Sequence, residues 1–94
     1  MSKKNKDNRR KYFCDVLQKE RACKLITQEE FAKRLVMTQE QVSKLENGKM
    51  KIDVIQMIDI CVVLGVTLME FAAKIEGRLY AEGVWSYPKG RVVR

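Results

Sequence analysis

The sequence contains no histidine and only three cysteines, Cys14, Cys23 and Cys61. The cysteines form no CxxC pair, so a structural zinc site would lack its usual ligands. The chain also lacks a nucleophile motif and a glycine-rich phosphate loop, which argues against an enzyme and against a bound cofactor. An odd number of cysteines without an export signal fits a reducing cytoplasm, and Cys61 has the helical spacing of a core residue.

The sequence also lacks an uninterrupted hydrophobic run of membrane-spanning length. Its longest apolar-rich stretch, residues 54–73, contains Gln56, Asp59 and Glu70, which excludes a membrane span. The basic N-terminal stretch soon meets Asp15 and so contains no signal-peptide core. A chain of 94 residues is expected to form one domain whose helical core is stable without disulfide bonds or bound metal ions.

Negative charge is scarce relative to positive charge, and the net charge is +7. Residues 1–11 hold six cations against Asp7, a net +5, so the other residues contribute only +2. The six cations are Lys3, Lys4, Lys6, Arg9, Arg10 and Lys11. Such a segment favours a polyanionic partner. It is equally typical of a solubilising tail, so both a DNA-gripping arm and a disordered tail are considered.

Residues 27–49 are predicted to form two short helices joined by a tight turn. Thr27 precedes Glu30, and Thr38 precedes Gln41, at the spacing with which two side chains cap a helix start reciprocally. The apolar positions are Phe31, Ala32 and Leu35 in the first helix and Val42 and Leu45 in the second. Each helix is therefore expected to bury one side and expose the other.

The second of these helices has an unbroken polar stripe opposite its apolar side. The stripe consists of Gln39, Glu40, Ser43, Lys44 and Asn47, and Gly48 then offers a left-handed helix end. Amides, an acid and a flexible cation can meet base edges in a DNA major groove, so Gln39, Glu40, Ser43 and Lys44 are the candidate base contacts. Any solvated helix face is also polar, and the stripe alone favours that plainer interpretation.

The segment closely resembles the helix-turn-helix of the phage repressor and Cro family, also called the XRE family. The resemblance covers about residues 13–71. It rests on Gln28 at the first helix start, the small Ala32 at the helix crossing, the core residues Val42 and Leu45, and the ending LENGK. It implies an all-α fold, a compact five-helix, lambda-repressor-like domain that binds DNA.

The sequence departs from this family at a few positions. Leu25 and Val36 stand where glycine is common, and Val36 falls where the turn often needs positive φ. A β-branched residue is strained there, so an altered turn is expected. Glu20 replaces a usual apolar residue, while Arg21 and Glu46 match a pair that the family uses as a structural ion pair. A plain surface arginine is the alternative for Arg21.

Residues around the stripe are candidates for contacts with DNA phosphates. Lys49 and Lys51 follow the second helix and can neutralise phosphates beside the groove. Gln28 lies in a first helical turn, where exposed N–H groups suit an anion. The complete predicted set is Gln28, Thr38, Asn47, Lys49 and Lys51.

Three further helices are predicted around the helix-turn-helix. The first runs from about Asp7 or Asn8 to Cys23. The fourth runs from Asp53, capped with Gln56, to Gly65, and the fifth runs from Thr67, capped with Glu70, to Glu76 or beyond. The predicted inward positions of the first helix are Phe13, Val16 and Leu17. Those of the fourth helix are Val54, Met57, Ile58, Cys61 and Leu64, and those of the fifth are Leu68, Phe71, Ala72 and Ile75. The expected organisation is a basic flexible arm over residues 1–8, the DNA-binding domain over 9–76 and a non-helical tail over 77–94.

The tail holds the only tryptophan and the only proline, with Trp85 and Tyr87 near Pro88. Such aromatic residues either pack on their own domain, mediate self-association or stay disordered. Nothing in the sequence indicates a small-molecule sensor.

The sequence as a whole predicts a sequence-specific regulator that binds double-stranded operator DNA. A repressor-like homodimer in a bacterial or phage cytoplasm fits best, without cofactor or membrane. An antitoxin or a restriction-modification controller protein would use the same fold. A protein-interaction module without DNA binding is the alternative from another class, because the charges of the helix-turn-helix balance.

Overall fold

The structure, a computed structural model, describes residues 2–84, with side chains from residue 8 onward. The described chain forms five helices and contains no strand: α1 Ser2–Cys23, α2 Gln28–Leu35, α3 Gln39–Glu46, α4 Val54–Leu64 and α5 Leu68–Ala81. The prediction of an all-α, five-helix domain is confirmed. Trp85, Tyr87 and Pro88 lie outside the described residues, so the three alternatives for these aromatic residues stay predictions.

Local capping explains where four of the helices begin. The side chains of Thr38, Asp53 and Thr67 each accept a hydrogen bond from a backbone N–H three residues later, and the side chain at that position returns one. Thr27 accepts from the backbone of Glu30 at 3.1 Å, but the Glu30 carboxylate binds Arg34 at 2.7 Å instead of returning to Thr27. Three of the four predicted reciprocal caps are therefore complete, and the cap of α2 is half formed.

The core lies where the five helices meet: α1 packs on α3 and α5, α2 packs on α3 and α4, and α4 packs on α5. Its most deeply buried members include Leu17, Phe31, Leu45, Ile60 and Phe71. Burial of each such side chain contributes about 1.5–3 kcal/mol. The rings of Phe13 and Phe71 meet edge to face with centroids 6.2 Å apart, which joins α1 to α5.

Two predicted boundaries are wrong, namely the start of the first helix and the start of the non-helical tail. Helix α1 begins at Ser2, not near Asp7 or Asn8, so residues 2–8 are helical and the expected flexible arm is part of α1. No glycine or proline interrupts this stretch, so the helix has no local reason to stop. Helix α5 continues beyond Glu76, as the prediction allowed, and ends at Ala81, so residues 77–81 are helical and do not belong to the non-helical tail.

The predicted inward stripes of α4 and α5 are only partly correct. In α4, Cys61 and Leu64 are buried as expected, but Val54 and Ile58 are exposed and Ile60, which was not predicted, is 2% exposed. In α5, Phe71 is buried, Ile75 is partly buried, and Leu68 and Ala72 are exposed. Nearly every position of α4 is apolar, so periodicity alone does not show which side of that helix faces the core.

The turn between α2 and α3 keeps the left-handed geometry despite its valine. Val36 has φ 57° and ψ 49°, and Leu25, at the end of α1, also has a positive φ of 60°. The expectation of an altered turn is wrong. The N–H of Met37 donates to the carbonyl of Ala32 at 2.9 Å, which closes the end of α2 and holds Val36 in place. This conformation costs a non-glycine residue about 1–3 kcal/mol.

Candidate nucleic-acid interface

The polar stripe of α3 lies on the outside of the molecule. Val42, Leu45 and Glu46 are buried, whereas Gln39, Glu40 and Lys44 are exposed and Ser43 is partly exposed. The Lys44 ammonium group lies 4.0 Å from the Glu40 carboxylate, but both side chains are more than half exposed, so this contact contributes little to stability. The candidate base contacts therefore share one accessible face.

Glu46 anchors the C-terminal end of α3 to the rest of the domain. Its carboxylate is 1% exposed and accepts hydrogen bonds from Arg21 Nε at 2.5 Å and Arg21 Nη2 at 3.0 Å. Gln28 Nε2 also donates to this carboxylate at 3.0 Å, and Arg21 Nη1 donates to the carbonyl of Ile26 at 2.7 Å. The structure thus brings together Arg21 and Glu46, the pair that the family resemblance implied, and adds Gln28.

A row of donors on α1 binds the last carbonyls of α3 and its turn. Arg10 Nη1 donates to Gly48 O at 3.4 Å, Cys14 Sγ to Leu45 O at 3.5 Å, and Gln18 Nε2 to Glu46 O at 2.8 Å. With Arg21, these residues follow one face of α1 at helical spacing. Burial raises the pKa of the Cys14 thiol, which keeps it protonated as a donor.

Sequence reasoning missed Arg10, Cys14 and Gln18 in this role. Their spacing was visible, but nothing in the sequence shows that their partners are carbonyl groups on another helix.

The candidate phosphate contacts surround the exposed stripe. One N–H of the Gln28 amide binds Glu46, and an amide nitrogen carries a second N–H for a further acceptor. The Thr38 oxygen accepts from the Gln41 backbone at 3.0 Å, which leaves its hydroxyl proton to donate. Lys49 and Lys51 are both exposed in the loop after α3.

Asn47 also has a structural role at the end of α3. Its amide nitrogen donates to Ser43 O at 2.8 Å and lies 3.3 Å from Ser43 Oγ. This side chain therefore ends α3 as well as lying near the proposed DNA face.

The described residues contain no group of three or more histidine, cysteine, aspartate or glutamate side chains arranged to hold a metal ion. No single helix among them is long and apolar enough to span a membrane. Helices α4 and α5 reach the required length and composition only together, across a break bent by 102°.

Comparison with known proteins agrees with this geometry. A helix-turn-helix family model matches residues 17–71, which is more than half of the chain. An XRE-family like protein from Pseudomonas syringae pv. tomato str. DC3000 is 35% identical, with a TM-score of 0.71 over 80% of this chain and 92% of that one. The clp gene regulator ClgR from Corynebacterium glutamicum is 21% identical and shares the fold, with a TM-score of 0.73 over 80% of each chain. The sequence matches no curated protein.

The family match and the likeness to the XRE-family like protein show that the chain is a DNA-binding transcriptional regulator of the helix-turn-helix class. Proteins of this family are DNA-binding regulators and are typically not enzymes. The chain belongs to the Cro/C1-type, or XRE, helix-turn-helix family.

Proposed function

We propose that the protein is a repressor-like regulator that inserts α3 into the major groove of double-stranded operator DNA. The observation that carries this proposal is that α3 has two different sides. Arg21 holds Glu46 on the buried side, while Gln39 and Lys44 are exposed on the opposite side. A helix fixed from behind presents its outer side chains in a defined orientation, which base recognition requires.

The proposed base contacts are Gln39, Glu40, Ser43 and Lys44. An amide such as Gln39 pairs with adenine N6 and N7, a lysine such as Lys44 with guanine O6 or N7, and a carboxylate such as Glu40 accepts from cytosine N4. Lys44 lies one helical turn after Gln39 and Glu40, so the three side chains address neighbouring base pairs.

Phosphate contacts would fix α3 in the groove from both sides. Gln28 and Thr38 lie at the starts of α2 and α3, where exposed N–H groups and the helix dipole favour an anion. Asn47, Lys49 and Lys51 lie at the opposite end of α3. The helix is short, and contacts at both ends set its register on the DNA.

We infer that two copies act together as a homodimer, because one recognition helix covers too few base pairs to specify a site. A two-fold dimer would read half-sites about 34 Å apart. The outer side of α4 offers an apolar surface for a second copy: Val54, Ile55 and Val62 are 66%, 65% and 72% exposed, and Ile58 is also exposed. Met69, at the start of α5, is 84% exposed and is a further candidate.

Selection of bound sites from a pool of random duplexes tests the function directly. We expect one enriched half-site, repeated with two-fold symmetry. A repressor, an antitoxin or a controller protein would meet such an operator in the cytoplasm. Absence of enrichment would instead favour the interaction module, for which the balanced charges of the helix-turn-helix and the exposed apolar side of α4 are the supporting observations.

A further inference from the structure

The helix-turn-helix carries little net charge with which to attract DNA. In residues 27–49, four cations are balanced by four glutamates. Arg34 pairs with Glu30, and Lys44 lies near Glu40. Because phosphate neutralisation supplies most of the non-specific affinity of DNA-binding proteins, the attraction has to come from another part of the chain.

The N-terminal part of α1 carries that charge and lies beside the end of α3. Residues 1–11 contribute +5, and α1 continues without a break through this segment. Arg10 contacts Gly48, which lies in the turn after α3, both by its hydrogen bond to Gly48 O and by its aliphatic part. A Cβ atom at Gly48 would lie 3.3 Å from Arg10 Cγ and Cδ.

Two open grooves flank the contact between Arg10 and Gly48, and each has cations at its edge. Arg9, Arg10 and Lys51 line one groove of about 550 Å³, together with Phe13 and Met57. Lys11 and Arg10 line the other groove, of about 350 Å³, whose two carboxylates, Asp15 and Glu46, are paired with Arg78 and Arg21. Arg9 and Lys11 are exposed. Cations from α1 and from the loop after α3 therefore converge at the same end of the recognition helix.

We propose that the N-terminal turns of α1 bind DNA phosphates beside the half-site, with Arg9 and Lys11 as the contacting residues and Arg10 as the residue that positions the helix. This inference rests on the proposed function and adds a sequence-independent contact to it. Arginine guanidinium and lysine ammonium groups are the usual partners of phosphate oxygens, and a helical support holds them in one orientation. The element is a helical extension of the domain.

A matched pair of double variants tests the proposal. Arg9→Gln with Lys11→Gln removes two charges and keeps Arg10 on Gly48. Lys19→Gln with Lys24→Gln removes the same charge from two exposed positions, one farther along α1 and one in the turn that follows it. Affinity would be measured on the selected duplex and on a scrambled duplex across a salt series.

The first pair should weaken binding to both duplexes by a similar factor and lower the salt slope by about one for each lost contact. The ratio between the two duplexes should stay at the wild-type value. The control pair should keep the wild-type slope.

If both pairs give the same slope, α1 makes no phosphate contact and the inference is wrong, while the proposed function stands. If the wild-type protein shows no preference between the duplexes, the proposed function itself fails and the inference with it.

Discussion

Lys74 on α5 donates to the Glu20 carboxylate on α1 at 2.8 Å, across 54 positions of the sequence. Glu20 is 7% exposed and stands where the family usually has an apolar residue. The carboxylate is tolerated there because Lys74 reaches it from the neighbouring helix while its own side chain stays half exposed. The departure from the family pattern at Glu20 is thus matched by a partner on α5.

This contact predicts a loss of stability in alkali. The hydrogen bond to Glu20 raises the pKa of the Lys74 ammonium group above its ordinary value. Because the pKa of Lys74 is higher in the folded than in the unfolded protein, the ammonium group stabilises the fold fully at pH values below the unfolded-state pKa of about 10.4. This stabilisation is lost as the pH rises through the folded-state pKa. Lys74→Met should therefore melt below wild type at pH 8, and the difference should shrink as the pH rises above the ordinary lysine pKa of about 10.4. A constant difference, or the same behaviour in the control Lys33→Met, would contradict this assignment.

Loss of the Glu46 anchor should be costly. Glu46→Ala leaves Arg21 and Gln28 without their shared acceptor inside the domain. Removing one member of a buried ion pair typically costs about 3–5 kcal/mol. Chemical denaturation should show a decrease of this order, whereas Glu40→Ala, on the exposed face of α3, should change stability by less than about 0.5 kcal/mol. Equal decreases would show that Glu46 is not a buried anchor.

Two nearby lysines should have separable effects on DNA binding. Lys44→Ala should change the preference at one base position and cost about 1–3 kcal/mol on the selected duplex, because Lys44 lies on the exposed stripe. Lys49→Ala should weaken all duplexes similarly and lower the salt slope by about one, because Lys49 follows the helix. Both variants would be titrated on selected and scrambled duplexes across a salt series. If Lys44→Ala and Gln39→Ala leave the ratio between the duplexes unchanged, α3 does not read the bases.

Glycine in the turn should stabilise the domain. Val36 is 92% exposed and has a left-handed conformation, so Val36→Gly removes strain without loss of packing. The gain, reduced by the greater freedom of glycine in the unfolded chain, should be about 1 kcal/mol in unfolding free energy. Ala73→Gly, at an exposed position within α5, is the control and should lose about 0.5–1 kcal/mol. A decrease at Val36 would mean that the turn is not strained.

The outer side of α4 should control self-association. Ile55→Glu with Val62→Glu places two charges on the exposed apolar surface proposed for the second copy. Light scattering at tens of micromolar should show a dimer for wild type and a monomer for the double variant. Val36→Glu, at a more exposed position in the turn between α2 and α3, should remain dimeric. A wild-type protein that is monomeric both alone and on DNA would refute the dimer.

The local signals in the sequence were sufficient for the helix starts and the recognition helix. The caps at Thr38, Asp53 and Thr67 depend on residues three positions apart, so a short stretch of sequence contains all the information. The positions of Val42 and Leu45 were equally clear, because a polar stripe opposes them in the same helix.

Features that depend on distant neighbours could not be predicted in the same way. Ile60 and Ile58 are chemically alike, and only the packing of α4 between α2 and α5 decides which one is buried. The donors Cys14 and Gln18 bind carbonyl groups, which every residue has, so no partner side chain marks the site. The length of α1 was missed because cations suggested disorder, although nothing in the stretch breaks a helix.

The way α3 is held has a consequence for how this protein acquires new targets. Its supports act on the backbone carbonyls of Leu45 and Glu46 and on the Glu46 side chain, none of which lies on the outer stripe. Exchange of residues 39, 40, 43 and 44 should therefore leave these supports in place. A library randomised at those four positions should retain a high proportion of folded members, and a lineage could move from one operator to another through stable intermediates.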